Sequence, residues 1–502
     1  MRRSVIGMMI LLSLSKVTGL LRTMVLSRTY GAGEISDIFF ASVMIPGVFL
    51  GIVLAGINTC LVPVLTMAEK DGQKEAFFNR FISLMFLVSL VVVFAIVSFS
   101  HPLANLVSSF KGDKLYLVGY YTKFTSIIAG LQIMTYTLVG YLQQNNRYFI
   151  PAALAIPMNI INIIGIYYFG DRGMGFLVGI TIVGYLSQLI WVMLPFIKER
   201  FPFRFNLKAR DDYLSYFLVL IGPIILTTSA SQVNLLVDAN LASSLSPGSL
   251  SLVNYSGLVY GVFVSVLAMS FSTVLFTKQS NLFHEGDYEG LCLVTKDNLS
   301  ILMMLIVPLT LGILFLSREI MQLLYFRGNM TYENISTMGW LLFFYSFALA
   351  GWSINDVLGK FLISAGESKK TILPSLLNII TNIVLNYILI RFWGVYGLAI
   401  ASSIASYVAV AASVNRTKSY FEDVKVSIFS LSLVKYVLAG LGMLLVLYIL
   451  KALTPVDNLP LLIYIFTIAL VGIILYFTGL FFLQTEELLE IRSRIIRRIK
   501  RT

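Results

Sequence analysis

Hydrophobic residues run along the chain in long stretches that short polar segments separate. A membrane-spanning helix needs about 20 mostly apolar residues, and fourteen windows of the sequence meet that requirement. Their centres lie near residues 14, 50, 90, 130, 159, 185, 226, 264, 304, 345, 380, 406, 441 and 471. The pattern predicts an all-α polytopic membrane protein with about fourteen transmembrane helices and both termini on one side of the membrane.

Composition supports this class. Of the 502 residues, 58% are hydrophobic and 12% are charged, whereas a soluble protein is about 25% charged. The N-terminal basic flank and apolar run resemble a signal peptide, but more spans follow in place of a cleavage site and a soluble domain, so we expect a retained first helix. The two cysteines (Cys60, Cys292) and two histidines (His101, His284) suggest no metal cluster. We therefore expect no cofactor and, without a phosphate-binding loop motif, no ATP-hydrolysing enzyme.

Basic residues divide unevenly between the predicted loops. With the N-terminus in the cytoplasm, 25 of the 37 Lys and Arg residues fall on the cytoplasmic side and 9 on the outer side. This distribution follows the positive-inside rule and places both termini in the cytoplasm. The net charge of +12 then faces anionic lipid, so nucleic acid is not expected as a partner.

The two halves of the chain repeat each other weakly. Shifts of 214 to 223 residues align matching positions in order: Gly47 with Gly261, Pro151 with Pro374, and Asn159 with Asn382. A repeat of six spans gives two copies of the same orientation, as in secondary transporters that bind cargo near the midplane. We predict an N-terminal lobe (1–205), a C-terminal lobe (206–425), two extra spans (426–484) and a basic cytoplasmic tail (485–502) that forms an amphipathic helix.

The first span carries Lys16 and Arg22 near its middle. A cation at the bilayer centre costs ~2.5–3.5 kcal/mol on insertion scales, and such residues usually face a bundle interior. We therefore predict that both face a central cavity for an anionic ligand, of which a diphosphate is the natural membrane-borne example. The alternative, a side chain that extends to the interface, suits Arg28 better, which is a weaker candidate.

Three further polar residues are candidates for the same cavity. Asp37 opens the second span, where a cavity role and a helix cap are equally good interpretations. Asp238, in the seventh span, either pairs with a first-lobe cation or caps and solvates a helix end. Asn254 is a weaker candidate, because such amides more often join helices by hydrogen bonds.

Several segments together resemble one known family. "SKVTGLLRTMVLSRTYGAGEISDIFFASVMIP", "IMQLLYFRGNMT" and "KFLISAGESKKTILPSLLNIITNIVLNYILI" are similar to blocks of the MurJ/MviN family of lipid II flippases. The resemblance implies a fourteen-helix transporter of the multidrug/oligosaccharidyl-lipid/polysaccharide superfamily in the bacterial plasma membrane. It also implies two lobes, an electropositive cavity, and a groove between the last two spans for a lipid tail.

The resemblance carries over to three site residues and fails at five others. Lys16, Arg22 and Asp37 stand where the family has Arg, Arg and Asp. The family has Asn, Arg and Glu in the second span and Asp-Arg in the eighth, where this chain has Gly47, Leu50, Ala55, Ser256 and Gly257. Two cavity arginines and a glutamate are therefore missing.

These observations favour a non-enzymatic flippase for an undecaprenyl-diphosphate-linked saccharide, with lipid II as the first choice of cargo. The alternatives are a capsule, teichoic acid or exopolysaccharide unit, or a multidrug exporter of the same fold. The expected partners are the lipid-linked glycan, membrane lipids and cell-wall synthesis proteins. An ion or the membrane potential is the expected driving force.

Overall fold

The structure is a computed structural model that describes residues 2–207, 212–429, 431–453, 460–485 and 487. Among these residues the secondary structure is helical and contains no β-strand. The predicted basic tail lies outside the described residues, apart from Thr485 and Glu487. The all-α class is confirmed.

The first half of the chain forms nine α-helices in the described part. They are α1 (Arg2–Tyr30), α2 (Glu34–Lys70), α3 (Lys74–Ser98), α4 (Ser100–Val107), α5 (Asp113–Gln144), α6 (Phe149–Ala152), α7 (Ala155–Phe169), α8 (Met174–Lys198) and α9 (Asp212–Ser243). A short 3-10 helix, Gly170–Arg172, joins α7 to α8.

Eight α-helices follow among the described residues. They are α10 (Ser249–His284), α11 (Tyr288–Tyr325), α12 (Tyr332–Ser346), α13 (Ala348–Ser364), α14 (Ile372–Trp393), α15 (Tyr396–Asp423), α16 (Ser432–Leu453) and α17 (Leu461–Phe482). A second 3-10 helix, Ser368–Thr371, precedes α14.

Each of the fourteen predicted span centres falls inside an α-helix. Two spans are built from consecutive helices: α6 with α7, and α12 with α13. Twelve stretches of the described residues are long and apolar enough to cross a membrane. The other two predicted spans fall on α9 and α10, which have 32 and 36 residues. The chain is a multi-span membrane protein, and the count of fourteen stays a prediction.

Contacts divide the chain into two compact units. Unit 1 comprises Met1–Asn254 with Arg327–Thr331, and unit 2 comprises Tyr255–Phe326 with Tyr332–Thr502. In unit 1, α2 packs against α5 and α9, and α1 packs along α7. In unit 2, α15 packs against α13 and α14, and α11 packs against α12 and α16. The predicted lobe and tail boundaries stay a prediction.

Each unit has an apolar core that includes one cysteine. In unit 1, Cys60 packs among fully buried aromatic side chains of α3 such as Phe78 and Phe81. In unit 2, Cys292 packs near Phe361 and Phe421. Both thiols are free and buried. Elsewhere on α3, Phe94 is 73% exposed, as expected of a side chain that faces hydrocarbon rather than water.

Candidate functional site

The helix α1 carries the predicted cations on an uninterrupted run of 29 residues. It packs against α7 within unit 1, and Asn159 of α7 fixes the pairing. The Asn159 Nδ2 atom donates to the Ser15 carbonyl oxygen at 3.3 Å and to Thr18 Oγ1 at 3.0 Å. These bonds hold α1 on both sides of Lys16. The Lys16 side chain itself is exposed and makes no ion pair or hydrogen bond within the described part of the chain.

Arg22 is half-buried and has an unusual neighbour. Its Nη1 atom lies 3.9 Å from the sulfur of Met158 on α7. A thioether is only a weak acceptor, whereas a guanidinium has five donors. No carboxylate among the described residues pairs with Arg22. Most of its hydrogen-bonding capacity and its charge are therefore available to an anion.

Two buried glutamine side chains form a hydrogen-bonded series that ends at Met158. Gln188 on α8 donates from Nε2 to the Met158 sulfur at 3.3 Å, and Gln132 on α5 donates to Gln188 Oε1 at 2.6 Å. Both glutamines are 4% exposed. The series Gln132, Gln188, Met158 and Arg22 thus links four helices. Sequence reasoning missed the glutamines, although a polar amide inside an apolar span was a signal for them.

Asp37 is placed at the N-terminus of another helix. Its Oδ2 accepts from the Gly248 backbone N–H at 2.6 Å, and its Oδ1 accepts from the N–H and hydroxyl of Ser251 at 2.8 and 2.5 Å. A carboxylate is favourable there because the first N–H groups of a helix lack partners and carry partial positive charge. Asp37, 2% exposed, therefore caps α10, and its predicted contact with cargo stays a prediction.

The end of α1 is held by the segment that follows α11. Asn329 donates from its backbone N–H to the Arg28 carbonyl at 3.0 Å and from Nδ2 to the Thr29 carbonyl at 2.6 Å. Gly31 has a φ of +67°, and a Cβ there would meet the Asn329 carbonyl oxygen at 2.8 Å. We call these bonds and those of Asp37 the α1–α2 latch. The Arg28 guanidinium lies apart from it, 5.3 Å from the Tyr167 ring centre.

The remaining predicted site residues are dispersed. Asp238 is half-buried on α9, and its pairing with a first-lobe cation stays a prediction. Asn254 is half-buried and donates to the Leu250 carbonyl of its own helix at 2.8 Å. At the departures from the family pattern, Leu50 packs against the apolar core of unit 1. A Cβ at Gly47 or Gly257 would meet no atom of the described residues within 4 Å.

Long apolar helices in two units, with an arginine on α1 that has no carboxylate partner among the described residues, define a membrane transporter. Two solved structures share the fold. The lipid II flippase MurJ in an inward closed conformation has a TM-score of 0.82, 23% identity, and matches 94% of this chain and 98% of its own. An inward-facing multidrug resistance MATE transporter of the MOP superfamily has a TM-score of 0.70, 14% identity, and matches 82% and 95%.

Sequence comparisons then give the family. The family described as lipid II flippase MurJ matches residues 26–470. Probable lipid II flippases MurJ from Thermotoga maritima and Aquifex aeolicus are 28% and 27% identical, over 86% and 88% of this chain and 88% and 87% of their own. The chain belongs to the lipid II flippase MurJ family, and is a multi-pass protein of the inner membrane. The family resemblance is confirmed.

Proposed function

We propose that the protein moves lipid II, an undecaprenyl-diphosphate-linked saccharide, from the cytoplasmic to the outer leaflet of the bacterial inner membrane. The observation that carries this proposal is Arg22, a half-buried arginine in a membrane helix whose hydrogen bond within the described part of the chain goes to a thioether. An intramembrane cation without an acidic partner is costly, and an anionic cargo compensates it. The relatives named as lipid II flippases support lipid II as that cargo.

The geometry suggests how the cargo is held. Arg22 offers a planar fork that binds two phosphate oxygens at once, and Lys16 adds a point charge on the same helix. The prenyl tail stays in lipid while the diphosphate enters the cavity. Asp37 and Asn329 fasten α1 and α2 at one end within unit 1. Lys16 and Arg28 are secondary contacts in this scheme, and Asp238 and Asn254 complete the cavity.

The driving force is the membrane potential, alone or with a coupled ion. With the inside negative, the potential favours export of an anion by ~2.3 kcal/mol per charge per 100 mV. Lipid-linked glycan and membrane lipids are the proposed partners, with cell-wall synthesis proteins as further candidates. We propose no enzymatic activity for the protein.

A test compares Arg22→Ala with Arg22→Lys. We expect Arg22→Ala to insert normally, because it removes an insertion penalty, but to lose most transport. Arg22→Lys should keep part of the activity, because an ammonium attracts phosphate without forking onto two oxygens. The measurement is lipid II accessible at the outer face, normalised to protein in the membrane.

Arg172→Ala is the matched control. Arg172 also stands in unit 1, but it lies in the exposed 3-10 helix against the rings of Phe169 and Phe176. Its loss should leave transport unchanged. Transport by Arg22→Ala at the level of Arg172→Ala would refute the role assigned to Arg22.

The cargo itself is tested by rescue. Cells depleted of their own lipid II flippase should survive on this chain if lipid II is carried. Death of the cells despite normal membrane insertion would favour a capsule, teichoic acid or exopolysaccharide unit, in line with the missing arginines at Leu50 and Gly257. A multidrug exporter is the least favoured alternative, because cationic drugs need an acidic cavity and α1 is basic.

A further inference from the structure

A large apolar groove lies between α3, α5 and α8 in unit 1, away from Arg22 and the α1–α2 latch. Its volume is about 580 Å³, within the ~300–1,000 Å³ typical of small-ligand sites. Aromatic and aliphatic side chains line it, including Phe86, Met193 and Phe203, and Arg200 is the one charged residue among the described lining. We call it the α3–α8 groove.

The segment after α8 forms one wall of the groove. Residues 201–207 form neither helix nor strand, and two buried side chains of α3 bind their backbone. Asn79 Oδ1 accepts from the Arg204 N–H at 2.9 Å, and Ser83 Oγ accepts from the Asn206 N–H at 3.1 Å. Phe203 and Phe205 of this segment both line the groove. These hydrogen bonds therefore hold this wall of the groove against α3.

Basic side chains stand beside this wall without partners among the described residues. Lys198, Arg200 and Arg204 are exposed, and their side chains make no ion pair or hydrogen bond with the residues that the structure describes. The carboxylate between them, Glu199, is paired with Arg147. A net positive charge thus lies at one end of an apolar groove. This combination is complementary to a hydrocarbon chain joined to a phosphate.

The groove also continues onto a lipid-facing surface. On α3, Phe86 lines the groove and is 44% exposed, and Leu90 and Phe94 extend the same face with 51% and 73% exposure. An acyl chain can therefore enter from the bilayer without crossing the protein. Basic pockets between membrane helices near the cytoplasmic surface are known to bind anionic headgroups.

We propose that the α3–α8 groove binds an anionic phospholipid, with one acyl chain in the groove and the phosphate against Arg200. The bound lipid fastens residues 201–207 to α3. The ligand is a membrane lipid rather than the cargo, because the cations that would meet the cargo stand on α1. Loss of this lipid should therefore weaken the fold of unit 1 near residues 199–207.

The test uses the full chain purified in detergent, washed free of lipid, and titrated with dioleoyl phosphatidylglycerol or dioleoyl phosphatidylcholine. We expect preferential retention of phosphatidylglycerol and a rise in the thermal midpoint of unfolding. An arginine near an anionic headgroup contributes about fivefold in affinity, so Arg200→Ala should bind phosphatidylglycerol about fivefold more weakly. Phe203→Ala with Phe205→Ala should weaken the binding of both lipids, because these exposed rings contact the chain rather than the headgroup.

Lys70→Ala is the matched control, because Lys70 is an exposed cation at the end of α2 outside the groove. It should bind phosphatidylglycerol as the unaltered chain does. Equal binding by Arg200→Ala and Lys70→Ala, or equal affinity for the two phospholipids, would overturn the proposal. Displacement of phosphatidylglycerol by an equimolar amount of undecaprenyl phosphate would also overturn it, since the groove would then hold the cargo's tail.

Discussion

A guanidinium inside a membrane depends on the groups that surround it. Arg22 has a soft sulfur as its neighbour where a carboxylate would neutralise it. Such a neighbour positions the side chain and leaves its charge largely uncompensated. Asp37 shows the opposite arrangement, since three donors occupy its two oxygens. The same class of residue, a charge in a span, thus caps a helix at Asp37 and, in the proposed function, binds the cargo at Arg22.

The role of Asp37 gives a prediction at the residue scale. Asp37→Asn keeps one accepting oxygen but turns an NH2 group toward backbone N–H donors, so we expect a loss of about 1.5–3 kcal/mol of stability. The measurement is the thermal midpoint of the purified protein. Glu34→Gln is the control, because Glu34 forms an exposed ion pair with Lys114 at 3.2 Å, and exposed pairs contribute ~0–1 kcal/mol. Equal midpoints for the two variants would contradict the capping role.

At the scale of the elements, close helix contact depends on where a glycine faces. The run "GMGFLVGITIVG" predicts tight packing along one helix, and the structure distinguishes its members. A Cβ at Gly184 would collide with Asn162 Nδ2 and would meet Met158 Cγ at 3.0 Å. A Cβ at Gly175 or Gly179 would meet no described atom within 4 Å. Of these three glycines, Gly184 is the one that lets α7 and α8 approach closely, next to Met158.

This difference predicts unequal effects of two identical substitutions. Gly184→Ala should destabilise the protein by about 1–3 kcal/mol, because the added methyl overpacks the contact with α7. It should also lower transport, since the neighbouring Met158 positions Arg22. Gly179→Ala should be neutral or slightly stabilising, because alanine favours the helix. Thermal midpoints and transport by the two variants check this, and a Gly179→Ala defect as large as that of Gly184→Ala would refute it.

At the scale of the whole molecule, the charge count predicts orientation. Placing 25 basic residues in the cytoplasm and 9 outside fixes the direction in which cargo would move. Single cysteines test it, in a chain that carries Cys60→Ala and Cys292→Ala. The cysteines are not placed at Gly72 or Gly112, which have positive φ, because a side chain there would strain the backbone.

An impermeant thiol reagent added to intact cells should label two of four exposed positions. Lys111→Cys and Asp171→Cys should react, and Gln73→Cys and Glu285→Cys should react only after the membrane is opened. Labelling of Gln73→Cys or Glu285→Cys in intact cells would reverse the orientation, and with it the proposed direction of transport.

The sequence by itself determined the helices, because a segment that crosses a bilayer must satisfy its backbone internally and be apolar over about 20 residues. It also singled out Lys16 and Arg22 as candidate site residues, since a charge inside an apolar membrane segment is rare and energetically costly. Only the tertiary structure decided that Asp37 caps α10, more than 200 residues away, and that Met158 and two glutamines support Arg22. These contacts join residues from different helices, and a hydropathy pattern describes each helix alone. The partners of a polar group are set by packing, which the order of residues along one helix does not contain.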